Sequence, residues 1–551
     1  MSCIDGEAGF RAIEPHPGSV TLDGTRAARR TAPDASRDRR QAVPPGTLSP
    51  EELQDVFRHQ LDAVCRVVEE QLRTLTLTFT AARPPLTEPQ PSLAPPAADR
   101  GALRPLTDGE AEIWLAAQFG ADANAAMTEI VTLRLDGPLD AARLLDAVRA
   151  VPGRHGALRS RFSPSGESVR VDPAGEVPVR WEDFSREAEP EAALGAELHA
   201  LAGLSFDPVA GPVARADLVR LGERHHVLVL SAHHIACDGW SFAVLADEIA
   251  SAYRSGPEQR APVERADGCL ASEAERALAY WAGLHARPPE PLDLPTDHPR
   301  PKLRGFAGDT RRVALPPALV AGLRALAAGQ GQTLTATLLA AFQVLLARLS
   351  GQDDLVVGVP AAGQPRRGEP GLVGHHADLL PLRARLDPAE LFAAHLARTG
   401  TALAEAAAHA DCTLGRLLRH LDRSHDPARP PLAQVQFNFQ RFPDALDFGP
   451  GLHGALAPAP KRFSTFELTF SLSETADGLT VDATYNRALF EPATIDRWAD
   501  RIVAALFDSA LPEGARVGLL MRRSPGLVTA MLGALRAGIP YVPLDPALPP
   551  A

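Results

Sequence analysis

The chain has 551 residues, which is enough for two or three domains that each bury a core. Its formal net charge of −12 gives no electrostatic support for binding nucleic acid. Five scattered cysteines without a CxxC pair disfavour a zinc site or a disulfide framework, and no run of about 18 apolar residues or signal peptide is present. We therefore expect a soluble, cytoplasmic protein that binds neither nucleic acid nor membranes.

The first 48 residues are rich in Arg, Ala, Pro, Gly and Asp and show no hydrophobic period, which predicts a disordered tail. The run "TRAARRTAPDASRDRR" could be a basic interaction arm. Asp34 and Asp38 interrupt its charge, so a solvated tail is the favoured interpretation.

Residues 49–80 predict an amphipathic helix. Ser49 is a candidate N-cap, Pro50 suits the first turn and Glu52 completes a capping box. Apolar residues then recur at helical spacing on one face: Leu53, Val56, Phe57, Leu61, Val64, Val68, Leu72 and Leu75. The helix either packs on its own downstream domain or docks onto another polypeptide. A Pro-rich linker over 81–103 separates it from the downstream domain.

From about residue 104 to 508 the chain alternates strands and helices, which indicates an α/β architecture. "EIVTLRLDG" predicts a strand followed by a helix near Asp140. "TLTATLLAAFQVLLARLSG" predicts a buried helix that Thr333 opens and Gly351 closes, and the strand "DLVVGVP" comes next. "ELTFSLSETADGLTVDATYN" predicts a hairpin around 477–478.

The stretch "VLVLSAHHIACDGWS" brings a buried strand to two adjacent histidines, His233 and His234, followed by Asp238 and Gly239. Consecutive strand residues face opposite ways, so one histidine should face a cleft while the other packs. A histidine in a cleft can take a proton from an amine or a hydroxyl, and the aspartate should fix the turn. A metal site would need a third ligand, and no suitable spacing supplies one.

"HHIACDGWS" resembles the active-site motif of condensation domains of nonribosomal peptide synthetases, which share the chloramphenicol acetyltransferase-like fold. Further segments resemble this family in its own order: "LTDGEAEIWLAAQ", "GRHGALRSRF", "LDLPTDHPRP", "GLVGHHADLLPLR", "DPARPPLAQVQFNFQ" and "YNRALFEPATIDRW". The resemblance implies an α/β protein with two chloramphenicol acetyltransferase-like lobes, 104–285 and 286–508, in a V with a central tunnel.

The resemblance implies an acyltransferase that forms an amide bond. An upstream carrier protein delivers an acyl or peptidyl thioester, and a downstream carrier protein delivers an aminoacyl thioester whose amine attacks it. Phosphopantetheine is carried by these partner proteins, and the chain itself is expected to bind no cofactor or metal. Residues 49–80 could then dock onto an upstream synthase.

The family's motif also assigns roles to residues of this chain. His234 matches the catalytic histidine, and His233 is its neighbour with a mainly structural role. Asp238 is expected to pair with Arg159, the last arginine of "RHGALR", while Arg154 supports the same region. Whether His234 acts as a general base or positions the amine is left open by the sequence.

Gly239 is expected to permit close backbone approach at the tunnel, and Trp240 belongs to the motif that supports the site. Epimerization domains share HHxxxDG but usually follow it with an apolar residue and then Ser-Trp. The order Trp240-Ser241 therefore favours condensation.

The chain departs from the family pattern in two places that bear on the site. Gly156 stands where a glutamate is usual, and 376–378 reads His-Ala-Asp where a small or apolar residue and then Val-Asn are common. We interpret His375 and His376 as loop histidines that line the tunnel or the surface, and not as a second site.

Two alternative functions remain. A stand-alone acyltransferase of the same fold would use a soluble amine or alcohol. A non-catalytic platform would only recruit carrier-borne enzymes, although the presence of both His234 and Asp238 argues against it.

The C-terminal residues 512–551 resemble the start of an adenylation domain, with "LRAGIPYVPLDP" as the matching segment. The sequence ends before any Ser/Thr/Gly-rich loop ending in lysine that could hold ATP phosphates. We therefore expect that this polypeptide neither binds ATP nor activates an amino acid, as a truncated synthetase or the front part of one.

Overall fold

The computed structural model describes residues 103–173, 176–256, 271–421, 426–443, 445–476, 478–510, 517–520 and 541–544. The predicted tail, the helix over 49–80 and nearly all of the Pro-rich linker lie outside the described residues.

The first lobe contains five α-helices among the described residues: α1 (Asp108–Ala117), α2 (Ala121–Ala125), α3 (Ala141–Ala150), α4 (Pro190–Leu201) and α5 (Gly239–Ser255). The next helix, α6 (Ala271–Leu284), lies within the range predicted for the first lobe but packs through Trp281 into the core of the second. Its strands are β1 (Leu103–Pro105), β2 (Thr128–Asp136), β3 (Ser160–Phe162), β4 (Ser168–Val171), β5 (Val179–Asp183), β6 (Ala214–Arg220) and β7 (His225–His233).

The second half of the chain adds helices α7 (Pro317–Gly329), α8 (Leu334–Ser350), α9 (Phe392–Ala408), α10 (Leu414–Leu421) and α11 (Pro492–Ala510). Its strands are β8 (Gly308–Ala314), β9 (Asp354–Ala362), β10 (Ala377–Arg385), β11 (Val435–Arg441), β12 (Leu446–Asp447), β13 (His453–Pro458), β14 (Leu468–Thr475) and β15 (Gly478–Asn486), followed by the short parallel pair β16 (Val517–Leu520) and β17 (Tyr541–Leu544).

The first lobe is built on a six-stranded sheet in the order β12-β13-β2-β7-β6-β5. Leu144 and Phe242 from α3 and α5 share one buried cluster with side chains of β2 and β7, and α4 covers the opposite face. The predicted strand and helix start are confirmed, because Asp140 caps α3 by accepting a hydrogen bond from the backbone N–H of Arg143. Strand β7 of this sheet ends at His233, the first of the two adjacent histidines.

The second lobe is built on a sheet in the order β10-β9-β11-β14-β15-β8. The predicted helix is α8: Thr333 caps its start by accepting from the N–H of Ala336, and Gly351 ends it with a left-handed φ of 72°. The predicted hairpin is the antiparallel pair β14 and β15. Phe342 of α8 packs on Phe470 in the core, with the two ring centroids 4.8 Å apart.

Two strands of the second half cross over to the first lobe. β13 pairs antiparallel with β2, and the short β12 extends the sheet beyond β13. The sequence does not indicate this crossing. As a result, the second half of the chain contributes directly to the sheet that carries His233.

Among the described residues, no single helix has both the length and the hydropathy needed to cross a bilayer. Helices α7 and α8 reach that threshold only when taken together, and they meet at an angle of 103°.

Gly137 provides a test of this crossing. It follows β2 with φ +142°, and a Cβ atom there would lie 2.1 Å from the carbonyl oxygen of Gly451, between β12 and β13. We expect Gly137→Ala to lower the free energy of unfolding by about 1–3 kcal/mol, measured by chemical denaturation.

Gly195→Ala is the matched control, because a Cβ in the middle of α4 meets nothing within 4 Å. Alanine is favoured over glycine in helices by about 1 kcal/mol, so this variant should be as stable as the parent or more so. Equal losses in both variants would contradict the proposed contact.

Candidate active site

His233 occupies the end of β7 and is fully buried. Its Nδ1 accepts the backbone N–H of Ile235 at 3.1 Å, and its Nε2 donates to the side-chain oxygen of Asn124 at 2.9 Å. Burial, together with the neighbouring His234, lowers the pKa of His233 to about 3, so this ring is neutral near pH 7. This is the packed, hydrogen-bonded position predicted for one histidine of the pair.

His234 continues the ladder by one residue, because its backbone N–H donates to the carbonyl of Met127 at 2.7 Å. Its half-buried side chain lines a cavity of about 1150 Å³ with residues of both lobes. Nδ1 lies 3.1 Å from the carbonyl oxygen of Cys237. Because a carbonyl only accepts, Nδ1 carries the hydrogen and Nε2 of the neutral ring is an acceptor.

The carboxylate of Asp238 is buried and binds donors from both lobes. Oδ1 accepts from the backbone N–H and the hydroxyl of Ser241 at 2.9 and 2.7 Å, which caps α5. Nε2 of Gln364 donates to both carboxylate oxygens, at 3.0 and 2.9 Å, and the backbone N–H of His376 donates to Oδ2 at 3.0 Å. Asp238 therefore connects α5 to the loop between β9 and β10.

The predicted pairing of Asp238 with Arg159 is wrong. Arg159 donates from Nε to the carbonyl of Pro152 at 2.9 Å and also to the carbonyl of Asp172, so it fixes its own turn. The amide of Gln364, 126 residues further along the chain than Asp238, takes the place expected for an arginine. A neutral donor suffices because several hydrogen bonds reach the same carboxylate.

Arg154 contacts α5, next to the region that the sequence predicts it to support. Its guanidinium binds Glu248 of α5 at 2.8 Å, and the same carboxylate contacts Nε2 of the buried His155 at 2.8 Å. These contacts fix α5, the helix that starts at the Asp-Gly pair.

Gly239 begins α5 where the two lobes approach each other. A Cβ at this position would lie 2.6 Å from Nε2 of Gln440 on β11, at the end of a flexible side chain, so the need for close backbone approach stays a prediction. The indole N–H of Trp240 donates to the carbonyl of Pro370 at 2.8 Å, and its ring lines the cavity with 38% of its surface exposed.

His375 contacts the candidate catalytic ring, which the sequence does not reveal. Its ring meets that of His234 edge to face, with centroids 4.7 Å apart and an interplanar angle of 82°. Burial first, and then the nearby rings of His234 and His376, lower the pKa of His375 well below its usual value. It therefore adds no positive charge beside His234 at neutral pH.

The second lobe presents a polar sheet face to the cavity. Alternating residues of its strands provide amides and hydroxyls: Gln436, Asn438, Gln440, Thr469, Ser471, Ser473 and Thr484. The opposite wall belongs to β2, where Glu129 contacts the ammonium of Lys461. The cavity is thus lined by hydrogen-bonding groups of both lobes, with His234 among them.

Comparison with protein-family models gives two matches: the condensation domain over residues 104–511 and the AMP-binding enzyme family over residues 493–551. The chain belongs to the condensation-domain family. Condensation domains are acyltransferases that form the amide bonds of nonribosomal peptides and work with carrier protein domains. The predictions of family, acyltransferase class and C-terminal adenylation-type fragment are confirmed.

This condensation domain is similar to parts of much longer synthetases. It is 34% identical over 433 residues to chondramide synthase of Chondromyces crocatus, covering 75% of this chain and 11% of that protein. It is 33% identical over 417 residues to one of the linear gramicidin synthase proteins of Brevibacillus parabrevis, covering 71% of this chain and 8% of that protein.

A solved structure supports the predicted fold class. The first condensation domain of the calcium-dependent antibiotic synthetase, in complex with a substrate analogue, matches with a TM-score of 0.64 at 26% identity. The match covers 75% of this chain and 96% of that one. The α/β fold with two sheet-containing lobes is therefore confirmed.

The corrected partner of Asp238 can be tested with two double-mutant cycles. Combining Asp238→Ala with Gln364→Ala should give an interaction energy of about 0.5–3 kcal/mol in the free energy of unfolding. Combining Asp238→Ala with Arg159→Ala should give additive losses. A large interaction energy in the second cycle, with none in the first, would show that Asp238 pairs with Arg159 and not with Gln364.

Proposed function

We propose that this condensation domain joins an upstream carrier-bound acyl or peptidyl thioester to the amine of a downstream carrier-bound aminoacyl thioester. One observation carries the proposal: the acceptor nitrogen Nε2 of His234 belongs to a ring that lines a cavity shared by both lobes. A proton acceptor in that cavity can serve two substrates that enter from different carriers.

The reaction requires a neutral amine. An α-amine has a pKa of about 8, so most of it is protonated at neutral pH. Nε2 of His234 accepts a hydrogen bond or a proton from the nucleophile, whose nitrogen attacks the thioester carbonyl carbon. The new C–N bond forms, the C–S bond breaks, and a proton goes to the leaving pantetheine sulfur.

Phosphopantetheine enters this proposal as a group on the carrier proteins. The polar face formed by β11, β14 and β15 supports it, because amide and hydroxyl side chains can hydrogen-bond an arm that contains amides. A cytoplasmic location is part of the same proposal. It is supported by Cys237 and Cys412, which are unpaired and buried.

His234→Ala should reduce amide formation by about 100-fold or more, the usual contribution of a general acid or base. Donor and acceptor carrier proteins loaded with thioesters are incubated with the full chain, and amide product is quantified by mass spectrometry. His199→Ala, at an exposed position of α4, is the matched control and should retain activity.

Both variants should melt close to the parent. Near-parental product formation by His234→Ala would refute the assignment. A parent that acylates free amines or alcohols but not a carrier-bound amine would favour the stand-alone acyltransferase instead.

We also propose that residues 49–80 dock onto an upstream synthase, supported by the amphipathic period of that segment. Deleting residues 49–80 should reduce product formation with the upstream synthase and spare activity on freely supplied carriers. An insoluble deletion variant would show instead that the segment belongs to the core of the domain.

A further inference from the structure

Glu129 shares a sheet face with His234. It lies opposite Ala232 in the β2–β7 register, and the hydrogen bond from His234 to Met127 extends that register by one pair. Residues directly opposite each other, and those two positions along, project from the same face. Glu129 and His234 are therefore diagonal neighbours, a relation with a spacing of about 7–8 Å in antiparallel sheets. Both line the same cavity.

The Glu129 carboxylate is ionised, and one of its oxygens has no hydrogen-bond donor among the described residues. Its side chain is 23% exposed, and Oε1 contacts the ammonium of Lys461. Among the described residues, none donates a hydrogen bond to Oε2. Burial opposes ionisation, but the ammonium of Lys461 and, after it, the nearby ring of His234 outweigh this effect and lower the pKa of Glu129.

We propose that Oε2 of Glu129 binds the ammonium form of the acceptor substrate and places its nitrogen beside Nε2 of His234. This inference rests on the proposed function and adds the residue that recognises the nucleophile. Carboxylate–ammonium contacts are charge-assisted hydrogen bonds, which are stronger than neutral ones. Lys461 contributes by holding the carboxylate in its ionised form.

The proton balance is complete without a further reactant. The bound ammonium gives one proton to Nε2 of His234, which passes it to solvent, and the neutral amine then attacks the thioester carbon. The second proton that the nitrogen loses goes to the leaving sulfur. Glu129 binds and positions the amine and takes no proton itself.

A purely structural role for the Glu129–Lys461 pair is disfavoured. β13, which precedes Lys461, already pairs with β2 over six residue pairs, so the segments are joined without the ion pair. Ion pairs with partly exposed members also contribute little to stability. A carboxylate with an open oxygen in the cavity is better explained by a ligand with a positive charge.

Binding of two small probes to the full chain tests the inference. Alanyl-aminopantetheine presents an ammonium, and lactyl-aminopantetheine presents a hydroxyl of similar size at the same position. No donor thioester is added, so neither probe reacts. We expect the parent chain to bind the alanyl probe at least tenfold more tightly than the lactyl probe at pH 7, measured by calorimetry. Glu129→Gln should bring the ratio close to one and leave the lactyl affinity within twofold.

Asp482→Asn is the matched control. Asp482 is another carboxylate that lines the cavity, but Arg312 binds both of its oxygens at 2.6 Å. This variant should keep the parental preference for the alanyl probe, because the replaced carboxylate has no oxygen left to bind an ammonium.

The pH dependence provides a second readout. The groups that lower the pKa of Glu129 are Lys461 and, after it, His234. Lys461→Met removes the cation that favours ionisation, so the pKa of Glu129 should rise. The preference for the alanyl probe should then be lost at a higher pH than in the parent as the pH falls. Glu129→Gln should show no such transition.

Two results would overturn the inference: a parental ratio near one, or equal weakening of both probes by Glu129→Gln together with a lower melting temperature. The test is separable from that of the proposed function, because binding requires no amide formation. A chain that prefers the alanyl probe but makes no amide from loaded carriers refutes only the proposed function. A chain that makes amide without this preference refutes only the role of Glu129.

Discussion

The buried carboxylate of Asp238 is the constraint on which the arrangement of the site depends. Taking a carboxylate out of water is costly unless hydrogen bonds replace its hydration. Ser241 supplies two of these bonds, the Gln364 side chain supplies two more and the backbone of His376 supplies one. These donors come from both lobes, so satisfying the carboxylate also fixes α5 against the loop that follows β9. His234 lies four residues before this point and is positioned with it.

The same constraint explains contacts that a sequence motif does not suggest. The backbone N–H of His376 donates a hydrogen bond to Asp238. This contact holds the preceding residue, His375, where its ring meets that of His234. Gly239 lies next to the carboxylate and faces the side-chain amide of Gln440 from the other lobe. The lobes therefore meet around the histidine through the hydrogen bonds of Asp238 and the contact between the rings of His234 and His375, and the cavity lies beside them.

Local rules were sufficient for much of the fold and for part of the site. The caps of α8 at Thr333 and Gly351 follow from hydrogen-bonding and φ preferences, so the sequence predicted them correctly. The partner of Asp238 could not be found in this way. Gln364 is 126 residues away, and a neutral amide is not recognised by a search for a compensating cation. The pairing of β13 with β2 and the contact between His375 and His234 are not predictable from the sequence for the same reason. Each joins segments that are far apart in the chain, and such contacts produce no local sequence pattern.

The charges near His234 have a distribution that suits an amine substrate. The rings of His233 and His375 have lowered pKa values and remain neutral, so they do not repel a cation at neutral pH. The carboxylates of Asp238 and Glu129 both line this cavity, but they differ in how many of their oxygens have hydrogen-bond partners. Those of Asp238 are occupied by donors of the protein, whereas Glu129 uses only Oε1 for Lys461 among the described residues. A cationic nucleophile that enters this cavity can therefore bind Glu129, on the sheet face that also carries the proton acceptor.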